Sequence, residues 1–284
     1  MAHTKEWATI VVSLLGTTAP VRATFHLMQI EQVIGGVGGD TTAQAIQLRL
    51  RSAIQNQVQQ ARLRVWDARG QNPILLIDIG QSVPNSAAGS RILIASANFA
   101  SLTGPTPNFI LTNLIPPSYL DAGSLTFESD FGPVYWRLSW GGPGYTGLTT
   151  GQLDNDANGN FGPPYSGPLP FATTQALRFT GTFSAFSTTN AADYALTAEF
   201  PAFTNNANQT GNVPAVVFGD FDRDGDVDLT EAVIFAGCLG GPGVLELPVG
   251  CAPRPFRGGD LFPDGVVDLL DAALFQSAFA SVGP

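Results

Sequence analysis

Strict alternation between apolar and polar residues narrows the folds open to this chain more than any other feature. Ile46-Gln47-Leu48-Arg49-Leu50-Arg51 and Ala61-Arg62-Leu63-Arg64-Val65 each change character at every step. Successive side chains of a strand point to opposite faces, so this period predicts strands with one buried and one wet face. Runs rich in β-branched and aromatic residues recur at Phe25–Ile34, Ala45–Leu50, Ala61–Trp66, Ile74–Ile79, Arg91–Ala95, Ser124–Glu128, Val134–Trp140, Ala176–Phe183 and Tyr194–Phe200. Gly, Pro, Asn and Ser turns separate them, and long helical periodicity is absent. An antiparallel β-sandwich is therefore the economical fold for residues 24–200. A module of that length can bury a proper core. Trp66, Trp136 and Trp140 are candidates for it, with an aromatic sugar-binding platform as the alternative.

Phe25–Ile34 as opening strand is followed by Ala45-Ile46-Gln47-Leu48 and by Leu63-Arg64-Val65-Trp66-Asp67 before a glycine turn. Arg91-Ile92-Leu93-Ile94-Ala95 comes next, then Leu125-Thr126-Phe127 ahead of Gly132-Pro133-Val134-Tyr135. This order resembles a lamin-tail-type, immunoglobulin-like domain over Thr24 to Thr182, with Gln47 where such domains often carry an acid. The resemblance implies an interaction or adhesion module without shared catalytic residues.

The C-terminal part carries a different signal. Asp220, Asp222, Asp224, Gly225, Asp226, Asp228 and Glu231 fill the pattern D-x-[DN]-x-[DN]-G-x5-E. Carboxylates two apart along a tight loop can converge on a hard cation, the glycine permits the sharp turn, and the acid at position twelve closes the shell. Without a cation these acids repel one another. Forty residues on, Asp260, Asp264, Gly265, Val267, Asp268, Leu269, Asp271, Ala272 and Phe275 match Asp220, Asp224, Gly225, Val227, Asp228, Leu229, Glu231, Ala232 and Phe235. Each half reads as a loop and a helix, with Leu229, Val233 and Ala236, and Leu270, Leu274 and Ala278, as the apolar faces to be buried. The second loop has Phe262 and Pro263 at positions three and four, so it lacks one side-chain ligand. A solvated Asp- and Gly-rich turn is the alternative.

This duplicated loop and helix resembles a type I dockerin from Val213 to Pro284. The resemblance implies a small all-α module that binds Ca2+ through Asp220, Asp222, Asp224, Asp228 and Glu231, with the Asp226 carbonyl. In the second half it implies Asp260, Asp264, Asp268 and Asp271, with the Val266 carbonyl. It also implies docking onto a cohesin-like protein or cell-surface component. Many dockerins present a hydroxyl pair at loop positions ten and eleven, where this chain has Leu229-Thr230 and Leu269-Leu270.

The segment between the loops holds the chain's two cysteines, Cys238 and Cys251. In an exported protein a bridge between them is the natural reading, worth about 3 kcal/mol in the entropic model. A pair of reduced thiols is the alternative. Export is suggested by Ala8 to Gly16, an apolar run behind His3 and Lys5, with Val21-Arg22-Ala23 as a cleavage site. That makes residues 1–23 a signal peptide and the protein secreted, extracellular or on a bacterial cell surface. A buried N-terminal strand, favoured by Glu6, is the alternative. No segment reaches the length of a transmembrane span, so no such anchor is expected. Pro201 to Pro214, rich in Asn, Thr and Gly, reads as a linker to the module at 215–284.

Charge excludes one partner class. The formal charge is −10, and from Val213 onward three arginines oppose eleven acids. Nucleic acid needs a basic face, so it is not an expected partner; a glycan is a partner only in the alternative readings of an aromatic sugar platform or a hydrolase. Catalysis has few residues to use. Only His3 and His26 exist, no lysine follows residue 23, and no Gly-x-Ser-x-Gly elbow or phosphate loop occurs. Glu31, Asp67, Asp78, Asp121, Glu128, Asp130 and Glu199 read as solvated surface acids. A glycosidase pair among them, in a hydrolase tethered by its dockerin for polysaccharide degradation, is the alternative. Asp154, Asp156, Asn158 and Gly159 repeat half of a calcium loop, but position twelve is Tyr165, so an Asx-rich turn is expected there.

Overall fold

The computed structural model describes residues 25–215, 219–221, 227–246, 248–251, 259–260 and 266–281. The expected signal peptide lies outside them. The protein is mainly β with antiparallel sheets. Strands β1 (Met28–Ile34), β2 (Ala45–Leu50), β3 (Ala61–Trp66), β4 (Ile74–Ile79) and β5 (Arg91–Ala95) come first. Helix α1 (Ala97–Thr103), β6 (Phe109–Ile110), β7 (Gly123–Ser129), β8 (Val134–Trp140), β9 (Leu177–Phe179), the short helix α2 (Asn190–Asp193) and β10 (Tyr194–Leu196) follow. A hairpin of β11 (Ala202–Thr204) and β12 (Thr210–Asn212) leads to helices α3 (Leu229–Cys238) and α4 (Leu269–Ser281).

One sheet has the order β10-β9-β1-β2-β5-β6, antiparallel except where β6 runs parallel to β5. The other, β4-β3-β7-β8, is antiparallel throughout. Apolar side chains of both sheets meet in one cluster that includes Ile30, Leu48, Ile92, Leu63, Leu125 and Trp136. Hydrogen bonds also cross between the sheets. Trp136 Nε1 donates to the Tyr194 hydroxyl at 2.8 Å, which donates to the Ile30 carbonyl at 2.6 Å.

Burial pushes the Tyr194 phenol well above its ordinary pKa. The folded state therefore holds this proton more tightly than the unfolded chain. Its contribution is whole below the unfolded value of about 10 and is lost as pH rises beyond it. Denaturant melts at increasing alkalinity are expected to show that loss and Tyr194→Phe to reduce it. The same substitution should cost about 1–3 kcal/mol at neutral pH, because Trp136 Nε1 loses its acceptor. An unchanged midpoint would show that this contact carries no stability.

The one-wet-face expectation holds for β3, whose residues alternate between buried and half-buried. Parity also takes Trp66 out of the core, since it ends β3 on the outer face and donates Nε1 to Thr126 Oγ1. Trp136 and Trp140 are wholly buried. β2 departs from the expectation, being buried on both faces. Phe99 of α1 and Phe203 of β11 pack edge to face over Ile34, Ala45, Leu93 and Ala95, making a second core outside the sheet.

The stretch expected as a linker is thus corrected to a folded hairpin over the β module. Its asparagines stand in for a backbone ladder. Asn206 Oδ1 accepts the Asn85 amide at 2.7 Å, and Asn206 Nδ2 donates to the Arg91 carbonyl at 3.0 Å. Asn205 Nδ2 donates to the Thr106 carbonyl at 2.9 Å. Gly211 lies so close to the Thr103 carbonyl and Pro105 that a side chain there would clash with backbone.

Candidate metal centre

The two C-terminal helices begin in the same way. Asp228 caps α3, accepting the Thr230 amide on Oδ1 at 2.6 Å, while Glu231 Oε2 takes the Asp228 amide at 2.9 Å. Forty residues later Asp268 Oδ1 accepts the Leu270 amide at 2.8 Å, and Asp271 Oδ2 takes the Asp268 amide at 2.8 Å. Each pair is a reciprocal cap of the kind that starts helices. The Thr230 amide, and then its hydroxyl, hold the Asp228 carboxyl below its usual range.

Position twelve of both loops is wholly buried. Glu231 and Asp271 are each 0% exposed, although an isolated carboxylate strongly resists leaving water. Asp220 and Asp260, at position one, are half-buried, and Val266 at position seven is buried. Asp222, Asp224, Asp226 and Asp264 lie outside the described residues. Among the described residues no three His, Cys, Asp or Glu side chains gather as a metal site. Carboxylate and carbonyl oxygens of this kind suit a hard cation such as Ca2+.

The halves also pack reciprocally. Gly219 sits against Val227 of its own half and Phe275 of the other, and Gly259 sits against Val267 and Phe235. Phe235 and Phe275 stack with centroids 4.7 Å apart and planes 2° from parallel, and Phe221 stacks beside them. Cys238 and Cys251 complete this cluster and are joined by a disulfide, with Cα atoms 4.9 Å apart.

The faces expected to be buried are corrected. Leu229, Val233 and Ala236 of α3 and Leu270 and Leu274 of α4 are exposed. The buried stripe of α3 is Glu231, Phe235 and Cys238, spaced i, i+4 and i+7. Burying the position-twelve acid beside the stacked phenylalanines turns the leucines outward. Leu229 and Leu269, equivalent in the two halves, are 74% and 77% exposed.

The other acids fall in several places. Asp156 and Asn158 form the expected Asx turn, with Asp156 Oδ1 accepting the amides of Asn158 and Asn160, while Asp154 gives its backbone carbonyl to Arg51 Nη1 at 2.8 Å. Asp156 Oδ2 is buried without a hydrogen bond, and an Asx turn leaves that atom unexplained. Asp67 caps its own turn, its carboxyl held low first by the Gln71 amide. Asp78, Asp121 and Glu199 are exposed.

Glu31 and Glu128 are not solvated surface acids. Both are buried, Glu128 against Arg62 and Arg64. Around Glu31 stand Arg49 at 2.9 Å, Arg91 at 2.7 Å and Arg178 at 3.7 Å. A register shift between Ile30 and Gln32 against β2 brings Glu31 and Gln32 together on the outer face, where Gln32 Nε2 meets the Ala202 carbonyl. Two consecutive polar residues in the apolar run Met28–Ile34 were the available signal for this bulge.

No protein-family model matches the chain, and no curated protein matches it. Among the described residues no helix is long and apolar enough to cross a membrane.

Proposed function

We infer that this is a secreted, non-catalytic protein with an immunoglobulin-like β-sandwich for recognition and a dockerin-like all-α module organised by Ca2+. Asp220, Asp222, Asp224, Asp228 and Glu231, with the Asp226 carbonyl, hold one ion. Asp260, Asp264, Asp268 and Asp271, with the Val266 carbonyl, hold a weaker one. The observation that carries this reading is the burial of Glu231 and Asp271 at matching places in two reciprocally packed halves. Bound calcium offsets the repulsion among loop acids, and so fixes the helix starts that Asp228 and Asp268 cap.

Docking is supported by the outer face of that pair. Leu229 and Val233 of α3 and Leu269 and Leu270 of α4 are each more than half exposed, so both helices offer apolar side chains to a partner. A cohesin-like partner or cell-surface component covers it in this reading. Titration of the chain with a cohesin module should give calcium-dependent binding that Leu229→Asp with Leu269→Asp abolishes. Calcium-dependent folding without such binding would leave a purely structural role.

One observation favours a carbohydrate-active hydrolase as the second reading. Burial pushes the Asp130 carboxyl up and Asp78 adds to it, against the pull of Arg62 and Arg64. A carboxyl raised by burial close to a second carboxyl is what an acid and base pair requires. Hydrolysis of a glycan that Asp130→Asn abolishes would establish it.

A further inference from the structure

The arginines around Glu31 exceed what one carboxylate can satisfy. A carboxylate offers about four lone-pair directions. Glu31 Oε1 takes Arg49 Nη1 at 2.9 Å and Arg91 Nη2 at 3.1 Å, and Oε2 takes Arg91 Nε and Gln47 Nε2, each at 2.7 Å. Those contacts fill it. Arg178 stands farther off, at 3.7 Å and 48% exposed, and among the described residues no closer acceptor engages it.

Three guanidinium groups on one carboxylate leave two positive charges in excess, in a chain whose formal charge is −10. Burial, and then the nearness of Arg91 and Arg178 against the pull of Glu31, lower the pKa of Arg49. Beside this excess lies a cleft of about 390 Å³, lined by Arg49, Arg178, Thr180, Ala195 and Thr197 among others.

We propose that this cleft binds the oxyanion group of a small ligand, held by the Arg178 fork with Arg49 beside it, on the sheet face that Arg178 shares with Ala195. Arg178 is the better placed of the two, because Arg49 already gives Nε to Gln29 and Nη2 to the Gly181 carbonyl. A planar fork binds carboxylate or sulfate in two parallel hydrogen bonds. The site names a ligand class for the recognition role inferred above, and rests on that role but not on calcium.

The test is calorimetric titration of the full chain with sodium glucuronate, sodium sulfate and glucose. Metal-depleted buffer without chelator is required, since chelators are themselves carboxylates. Glucuronate or sulfate should bind saturably while glucose does not, and which of them binds identifies the oxyanion. Arg178→Gln should weaken that binding about tenfold or more. Because Arg178 is half exposed and beyond the filled shell of Glu31, the variant should melt like the parent. No saturable binding of either anion, or binding that Arg178→Gln leaves intact, overturns the site. Neutral glycan binding untouched by Arg178→Gln would do the same and leave the recognition role standing.

Discussion

Glu31→Gln is expected to destabilise the β module by about 3 kcal/mol, the lower end of the range for breaking a buried ion pair. The substitution keeps shape and removes only charge. It leaves Arg49, whose side chain is 9% exposed, without its carboxylate at 2.9 Å. Arg91 and Arg178 are 32% and 48% exposed and can turn toward water, which keeps the loss at that lower end. For a unit near this size the midpoint should fall by about 6–12 °C. Arg178→Gln is the contrast, near neutral for stability because the carboxylate is already filled. Equal losses in the two variants would mean that the network acts only through general surface charge.

Removal of calcium should have the second large effect, confined to the C-terminal part. An ion at one thousand times its dissociation constant stabilises the form that binds it by about 4 kcal/mol. A loop of this type with micromolar affinity reaches that in millimolar calcium. The first loop should supply most of it, since the second has Phe262 where a side-chain ligand belongs. Glu231→Gln should remove the first contribution by withdrawing the buried closing carboxylate. Thermal melts of the full chain should then show one transition that moves with calcium and one, from the sheets, that does not. Two transitions that both ignore calcium would contradict the assignment.

Much of the β architecture was legible, for a local reason. Alternation and turn residues are written within a few residues, and Ala45–Leu50, Ala61–Trp66, Ile74–Ile79, Arg91–Ala95 and Val134–Trp140 were bounded by them as the structure has them. The hairpin Ala202–Thr204 with Thr210–Asn212 was not legible, because its hold on the molecule comes from asparagine side chains reaching residues about a hundred positions away. Phe109–Ile110 is too short to carry a period.

The inversion of Glu31 from surface acid to buried hub depends on a one-residue slip against β2; the consecutive Glu31-Gln32 marks the slip, but nothing local says that arginines and the hairpin cover that face. In the C-terminal part the repeat itself was legible from matched residues. Which helix face turned inward was not, because the apolar stripe Leu229 and Val233 competes with a stripe that contains an acid. Hydrophobic periodicity ranks such a stripe second, while stacking of Phe235 on Phe275 decides in its favour.

Calorimetric calcium titration of the full chain beside its Asp222→Ala variant tests the calcium reading most directly. Two binding events, one tighter and one weaker, are expected in the parent, and the tighter should vanish in the variant while the weaker persists. No heat of binding, with the same far-ultraviolet circular dichroism in chelator and in millimolar calcium, would contradict it.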